Sequence, residues 1–219
     1  MRGRFSVLII LAFPAILTIG ILIIPVVSDY SNHLLAEQAV RQTARWFWGH
    51  LISALAFGFG SLAAYTIHRY LSKRGQANTG RISLTLVGIG SALFAFSLGA
   101  DGIGPLASVA GGGSAFTFFE GSGMWVSGVF IAASILFGVG LITQVIGLIN
   151  AGILRGLFRI VTFVAAIIFI GTTAIPSGWG LYGVAAAILV LYLTIGVSYL
   201  RVQRQEGSEN NRTSSMEKD

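Results

Sequence analysis

Residues 5–27 read FSVLIILAFPAILTIGILIIPVV, a run without one charged side chain. A helix rises about 1.5 Å per residue, so about 20 apolar residues cross about 30 Å of hydrocarbon. This stretch is long enough to do so. Arg2 and Arg4 precede it, and Val26-Val27-Ser28 resembles a small-residue cleavage site. The apolar run nevertheless exceeds the roughly 7–15 residues of a signal-peptide core, so it is expected to remain as an uncleaved anchor.

Working outward, five further apolar segments follow at 46–66, 82–100, 124–149, 160–175 and 181–200. The fifth span is short as drawn. It is expected to gain length from 153–158, with Arg155 and Arg159, four apart on one helix face, reaching back to the interface. The composition agrees with the spans. The chain is 54% hydrophobic and 10% charged, against about 25% charged in a soluble domain. Such a chain cannot cover a water-facing surface. With no cysteine, disulfides, thiolate metal sites, iron–sulfur clusters and cysteine nucleophiles are excluded. The net charge of +6 comes from basic residues scattered between apolar runs, which form no nucleic-acid-binding face. The fold class expected is all-α: a polytopic integral membrane bundle of six transmembrane helices, with a short outer helix before the second span.

Orientation follows from the basic residues, which concentrate on the cytoplasmic side. Arg2 and Arg4, then Arg69, Lys73, Arg74 and Arg81, then Arg155 and Arg159, then Arg201 and Arg204 all fall on one side. Arg41 and Arg45 fall on the other, offset by Asp29 and Glu37. Both termini are therefore expected in the cytoplasm of a cell (plasma or inner) membrane. Trp46, Trp48, Trp125 and Trp179 all fall at the outer boundary, as interfacial anchors would. The chain divides into a membrane domain at 1–200 and a cytoplasmic tail at 201–219, which its composition reads as disordered. The sequon at Asn211 lies in that tail, on the wrong side for glycosylation.

Outside the spans, 28–45 reads as a short polar helix with Asn32 as N-cap and Glu37 paired to Arg41. The segment 101–123 is long, apolar and glycine-rich. It is expected either to dip Phe116, Phe118 and Phe119 into the interface or to form a re-entrant cover over a cavity. It lacks the phosphate-loop spacing, so nucleotide binding is not expected. Small residues recur at four-residue spacing: Ala56, Gly60 and Ala64, Gly88 with Ala92, Gly128 with Ala132, and Ser134 with Gly138. Such spacing lets helix backbones approach closely, within the bundle or against a second copy or another membrane protein. Leucine at Gly60 or Gly88 is expected to overpack the bundle. Pro14 is expected to kink the first span.

An ionisable residue deep in a bilayer suggests function, and the span centres contain none. Gln144 and Asn150 are expected to bond between helices. His50 and His68 stand 18 residues apart, about 27 Å along one helix, which does not make a bis-histidine haem pair; only His33 with His50 could supply one. His33, His50, Asp29, Glu37, Asp101 and Glu120 gather on the outer side, without the spacing of a known metal motif. No catalytic residue, metal or cofactor is expected. His50, Asp101 and Glu120 are the functional candidates, His50 lying one turn below Trp46, where Asp101 or Glu120 could fold over it. If His50 only closes a hydrogen bond, Gln would serve in its place. The function expected is that of a non-catalytic multi-pass protein packing against partners or lipids. The alternatives are a small-solute or lipid transporter with 101–123 covering a cavity, and a redox or metal-dependent subunit using His50 with outer carboxylates.

Overall fold

A computed structural model of the chain describes residues 2–216. It is all-helical, with no strand among the described residues. The helices are α1 (Arg2–Ile23), α2 (His33–Val40), α3 (Thr43–Lys73), α4 (Ala77–Ala110), α5 (Ala115–Glu120), α6 (Gly123–Asn150), α7 (Leu157–Thr173) and α8 (Gly178–Met216). Five of them, α1, α3, α4, α6 and α8, are long and apolar enough to cross a membrane. The apolar helix α7 has 17 residues, about 25 Å.

Six helices close into a ring in the order α1, α3, α4, α6, α7, α8 and back to α1. Each contributes one large aromatic side chain to the centre: Phe13, Phe57, Phe94, Phe137, Phe169 and Tyr192, none more than 2% exposed. The rings touch in sequence and across the layer. Phe57 stacks on Phe94 at 4.5 Å between centroids, Phe13 meets Tyr192 edge-on at 5.2 Å, and Phe137 meets Phe169 at 5.3 Å. Aromatic pairs in such geometries contribute about 0.5–1.5 kcal/mol each beyond their area. Leu55, Phe59, Ile89, Phe96, Ile131, Ile135 and Ile167 point the other way, exposed on the outside of the ring.

The closest helix approaches are made by glycines. A Cβ on Gly90 would lie 2.6 Å from the Phe137 backbone nitrogen, and one on Gly140 would lie 2.8 Å from that of Val87. These two residues bring the α4 and α6 backbones together. Among the spaced small residues, Ala56, Gly60 and Ala64 are buried, with Phe13 of α1 against Gly60. Gly138 faces Ile170 of α7. Gly88 and Gly128 meet nothing, and Ala92 and Ala132 are exposed. The expectation that leucine at Gly88 overpacks the bundle is therefore corrected: that position looks outward.

Three other expectations change. First, α7 does not gain length from 153–156. Gly152 and Gly156 have φ of +69° and +55°, left-handed values that stop a helix and suit glycine. Ile153 and Leu154 instead turn into the core, and the Arg155 Nε donates to the Gly152 carbonyl at 2.7 Å. Second, Asn32 does cap α2, its Oδ1 accepting from the Leu34 N–H at 3.2 Å. However, α2 ends at Val40, so Arg41 lies past it and forms no ion pair with Glu37 among the described residues. Third, α4 continues as helix through 101–110 and α5 follows, so most of 101–123 is helical rather than loop, and Phe118 is buried. At the opposite terminus α8 carries on into the tail as far as Met216, and residues 217–219 lie outside the described residues.

Replacing Gly90 with Leu should destabilise the bundle by at least the roughly 1–3 kcal/mol typical of overpacking, while Gly88→Leu should leave stability nearly unchanged. Thermal unfolding of both variants in detergent checks this. Equal losses would place Gly88 inside the ring.

Candidate functional site

The extension of α4 joins α2 and α5 in a cap over one end of the ring. This cap has a core of its own, built from Val27, Ala36, Ala39, Val40, Trp46 and Ala115, with Tyr30, Leu35, Leu106 and Phe119 packed against it. Trp46 is the pillar between cap and ring. It is 0% exposed, whereas Trp48, Trp125 and Trp179 are all more than half exposed. The expectation of four interfacial tryptophans is corrected for Trp46, which is an internal residue.

What Trp46 supports follows from a proline. Pro105 lies inside α4, and a proline has no N–H for the carbonyl four residues before it. That carbonyl belongs to Asp101. The Trp46 indole Nε1–H takes the vacant role, donating to the Asp101 carbonyl oxygen at 2.9 Å. One turn further along α3, His50 is 1% exposed. Its Nδ1 lies 2.7 Å from the Trp46 carbonyl oxygen, and its Nε2 lies 3.2 Å from the Asp101 carboxylate. The imidazole also packs against the indole, 4.4 Å between ring centroids. A Cβ on Gly102 would stand 2.7 Å from the His50 Cβ, so glycine is needed for α4 to sit this low on α3. One side chain of α3 thus grips the backbone of Asp101 and another its carboxylate.

The structure brings two of the three candidates together. His50 and Asp101 meet, while Glu120 lies exposed at the end of α5. The neighbouring groups have separate roles. His33 packs against Phe116 and Phe119. The exposed Asp29 accepts from the Ser31 hydroxyl and N–H, which hold its carboxyl below the usual value. Burial, and then the Asp101 charge, push the Tyr30 phenol well above its ordinary range, so Tyr30 stays neutral. Among the described residues no three His, Asp or Glu side chains converge on a position that could hold a metal ion. Sequence reasoning placed Trp46 at the interface and missed its bond to Asp101, and it missed the part played by Pro105. The available signal was the four-residue step from Asp101 to Pro105 within a segment read as loop.

Below the cap, a narrow cleft of about 20 Å³ lies between α1, α3, α4, α6 and α8, lined by Leu17, Ile21, Ile24, Ser53, Phe57, Phe94, Leu98, Phe130, Leu181 and Val184. No residue of 101–123 lines it. Ser53 is its one polar side chain, and the hydroxyl has no hydrogen-bond partner among the described residues. Gln144, expected to bond between helices, is buried with neither amide atom paired. Compared with known proteins, the chain matches no family model, no curated protein and no solved structure.

Trp46→Phe should remove the donor to Asp101 and cost about 1–3 kcal/mol for the buried carbonyl left unpaired. In a Pro105→Ala background the same change should cost less, because the new N–H at 105 can bond to Asp101 within the helix. A double-mutant cycle on thermal unfolding measures the difference. Additive losses would mean that the two residues do not share that carbonyl.

Proposed function

We propose that this is a six-span protein of the cell membrane, with both termini cytoplasmic, that works by helix packing against partner proteins, lipids or a second copy, without catalytic chemistry of its own. The membrane domain is 1–200, and 201–219 is its cytoplasmic tail. The observation that carries this reading is the filled centre. Six aromatic side chains, one from each helix of the ring, occupy the middle of the bundle where a solute path or a buried ionisable relay would run.

Contacts at the two ends support the orientation. Tyr70 meets Tyr199 at 4.6 Å between ring centroids, and the Arg201 guanidinium lies 4.6 Å over the Phe158 ring. These gather the basic ends of α3, α7 and α8 on one side. At the other end, Gly178 N–H donates to the Val27 carbonyl at 2.6 Å and Tyr30 N–H to that of Pro176 at 2.9 Å. The alternative of a transporter whose glycine-rich segment covers a cavity loses support, since that segment folds as a cap with its own core and lines no part of the cleft. Gly88 with Ala92, and Gly128 with Ala132, supply small-residue faces directed away from the bundle, where another helix can approach closely.

Reporter fusions at Gly75 and after Arg204 should read cytoplasmic, and one at Gly112 external. A cytoplasmic signal at Gly112 would contradict the six-span arrangement. A photoreactive residue at Gly88 or Gly128 should form discrete adducts with a protein or a lipid species that one at Ile135 does not form. Indistinguishable adducts at all three positions would remove the packing-partner role.

A further inference from the structure

The contacts of His50 require a particular number of protons. Its Nδ1 faces a backbone carbonyl, which can only accept, so Nδ1 carries a hydrogen. Its Nε2 faces the Asp101 carboxylate. A neutral imidazole already protonated at Nδ1 would direct a lone pair at that carboxylate, and the two would repel. The arrangement becomes attractive when one more proton is present. It can reside on Nε2, giving imidazolium against carboxylate, or on Asp101, giving a carboxylic acid that donates to Nε2. In both forms the pair is neutral overall, which suits a joint where His50 is 1% exposed and the Asp101 side chain, at 25%, is only partly open to solvent.

We propose that His50 and Asp101 form a proton-binding site whose occupied state holds the cap onto the ring. The groups around it leave the dyad to balance its own charge. From the α1–α2 link comes Tyr30, neutral for the reasons above. From α2 come His33, held against Phe116 and Phe119, and Glu37. The α3 cation nearest in sequence, Arg45, bonds instead to the Ile23 carbonyl and the Gln42 side chain. From α5 comes Glu120, at its exposed end, and α6 contains no ionisable residue. Loss of the proton leaves an uncompensated carboxylate against a lone pair at the joint where α4 rests on α3. The cap is the part that can yield, because it has a separate small core. That this proton comes from the outer compartment rests on the six-span arrangement. The binding itself does not.

The sign of the pH dependence follows. Stability falls with rising pH wherever the folded state holds more protons than the unfolded one. Thermal unfolding of the full chain in detergent should therefore show wild type losing about 2–4 °C or more between pH 5.5 and 8.5 relative to Asp101→Asn. An asparagine amide can donate to the bare Nε2 of a neutral imidazole, so that variant keeps the contact without the extra proton. Parallel pH profiles for the two chains would overturn the proposal. If Asp101→Asn does not fold, ring nitrogen resonances of ¹⁵N-histidine in the wild type, read with the infrared carboxyl bands, decide instead. At neutral pH the proposal requires either both His50 nitrogens protonated or a bare Nε2 beside a protonated carboxyl. A bare Nε2 beside an ionised carboxylate would overturn it. Reporter fusions that contradict the topology would change the side from which the proton arrives and leave these outcomes untouched.

Discussion

Helices in hydrocarbon have no water to expel from between them, so their association rests on contact and on satisfied polar groups. In this chain the contact is made at one level. Six aromatic side chains from six helices meet there, and their spacing is set by how closely the backbones can approach. Gly90 and Gly140 bring α4 and α6 into backbone contact, while Gly20 and Gly49 admit Ser53 and Ile24 across the α1–α3 boundary. If these positions carried side chains, the ring would widen and the rings at its centre would separate.

The second requirement is that buried backbone groups be paired. Four helix hydroxyls bond locally: Thr18, Ser134, Thr162 and Ser198 each donate to a carbonyl four residues back, whereas those of Ser53 and Ser91 are buried without a partner among the described residues. Asp101 meets the requirement over a long range. Pro105 removes the local donor, Trp46 supplies a replacement from another helix, and the carboxylate of the same residue engages His50. A proline that would otherwise weaken α4 thus becomes the reason that α4, α3 and the cap share one joint.

Much of the architecture was legible because a span's length and apolarity are local properties. The long apolar runs became helices, the polar segment before the second span became α2, and Asn32 capped it. The pairing of His50 with Asp101 was partly legible, since one turn separates Trp46 from His50 and Asp101 opens the following outer segment. The orientation of side chains about a helix was less so. In a chain that is apolar on all sides, periodicity does not separate a core-facing Gly60 from an outward Gly88, nor a buried Trp46 from an exposed Trp48. The continuation of α4 past Asp101 was hidden by Gly102, Gly104 and Pro105, residues that weaken a helix in isolation and are accommodated here by His50, Phe118 and Trp46. The aromatic layer lay in plain view, one ring near the middle of each span, but selecting those rings from other aromatics in the same spans needs the third dimension.

Closure of the ring depends on the contact between the first helix and the last, α1 and α8, where a Cβ on Gly196 would lie 3.2 Å from the Leu11 side chain. The chain has no cysteine, so Leu11→Cys with Gly196→Cys introduces the only two thiols. Under mild oxidation in native membranes, a closed ring yields a disulfide within one chain, seen as a mobility shift that reductant reverses. No bond, or bonds only between chains, would mean that α1 and α8 do not meet and that the six helices do not form a closed ring.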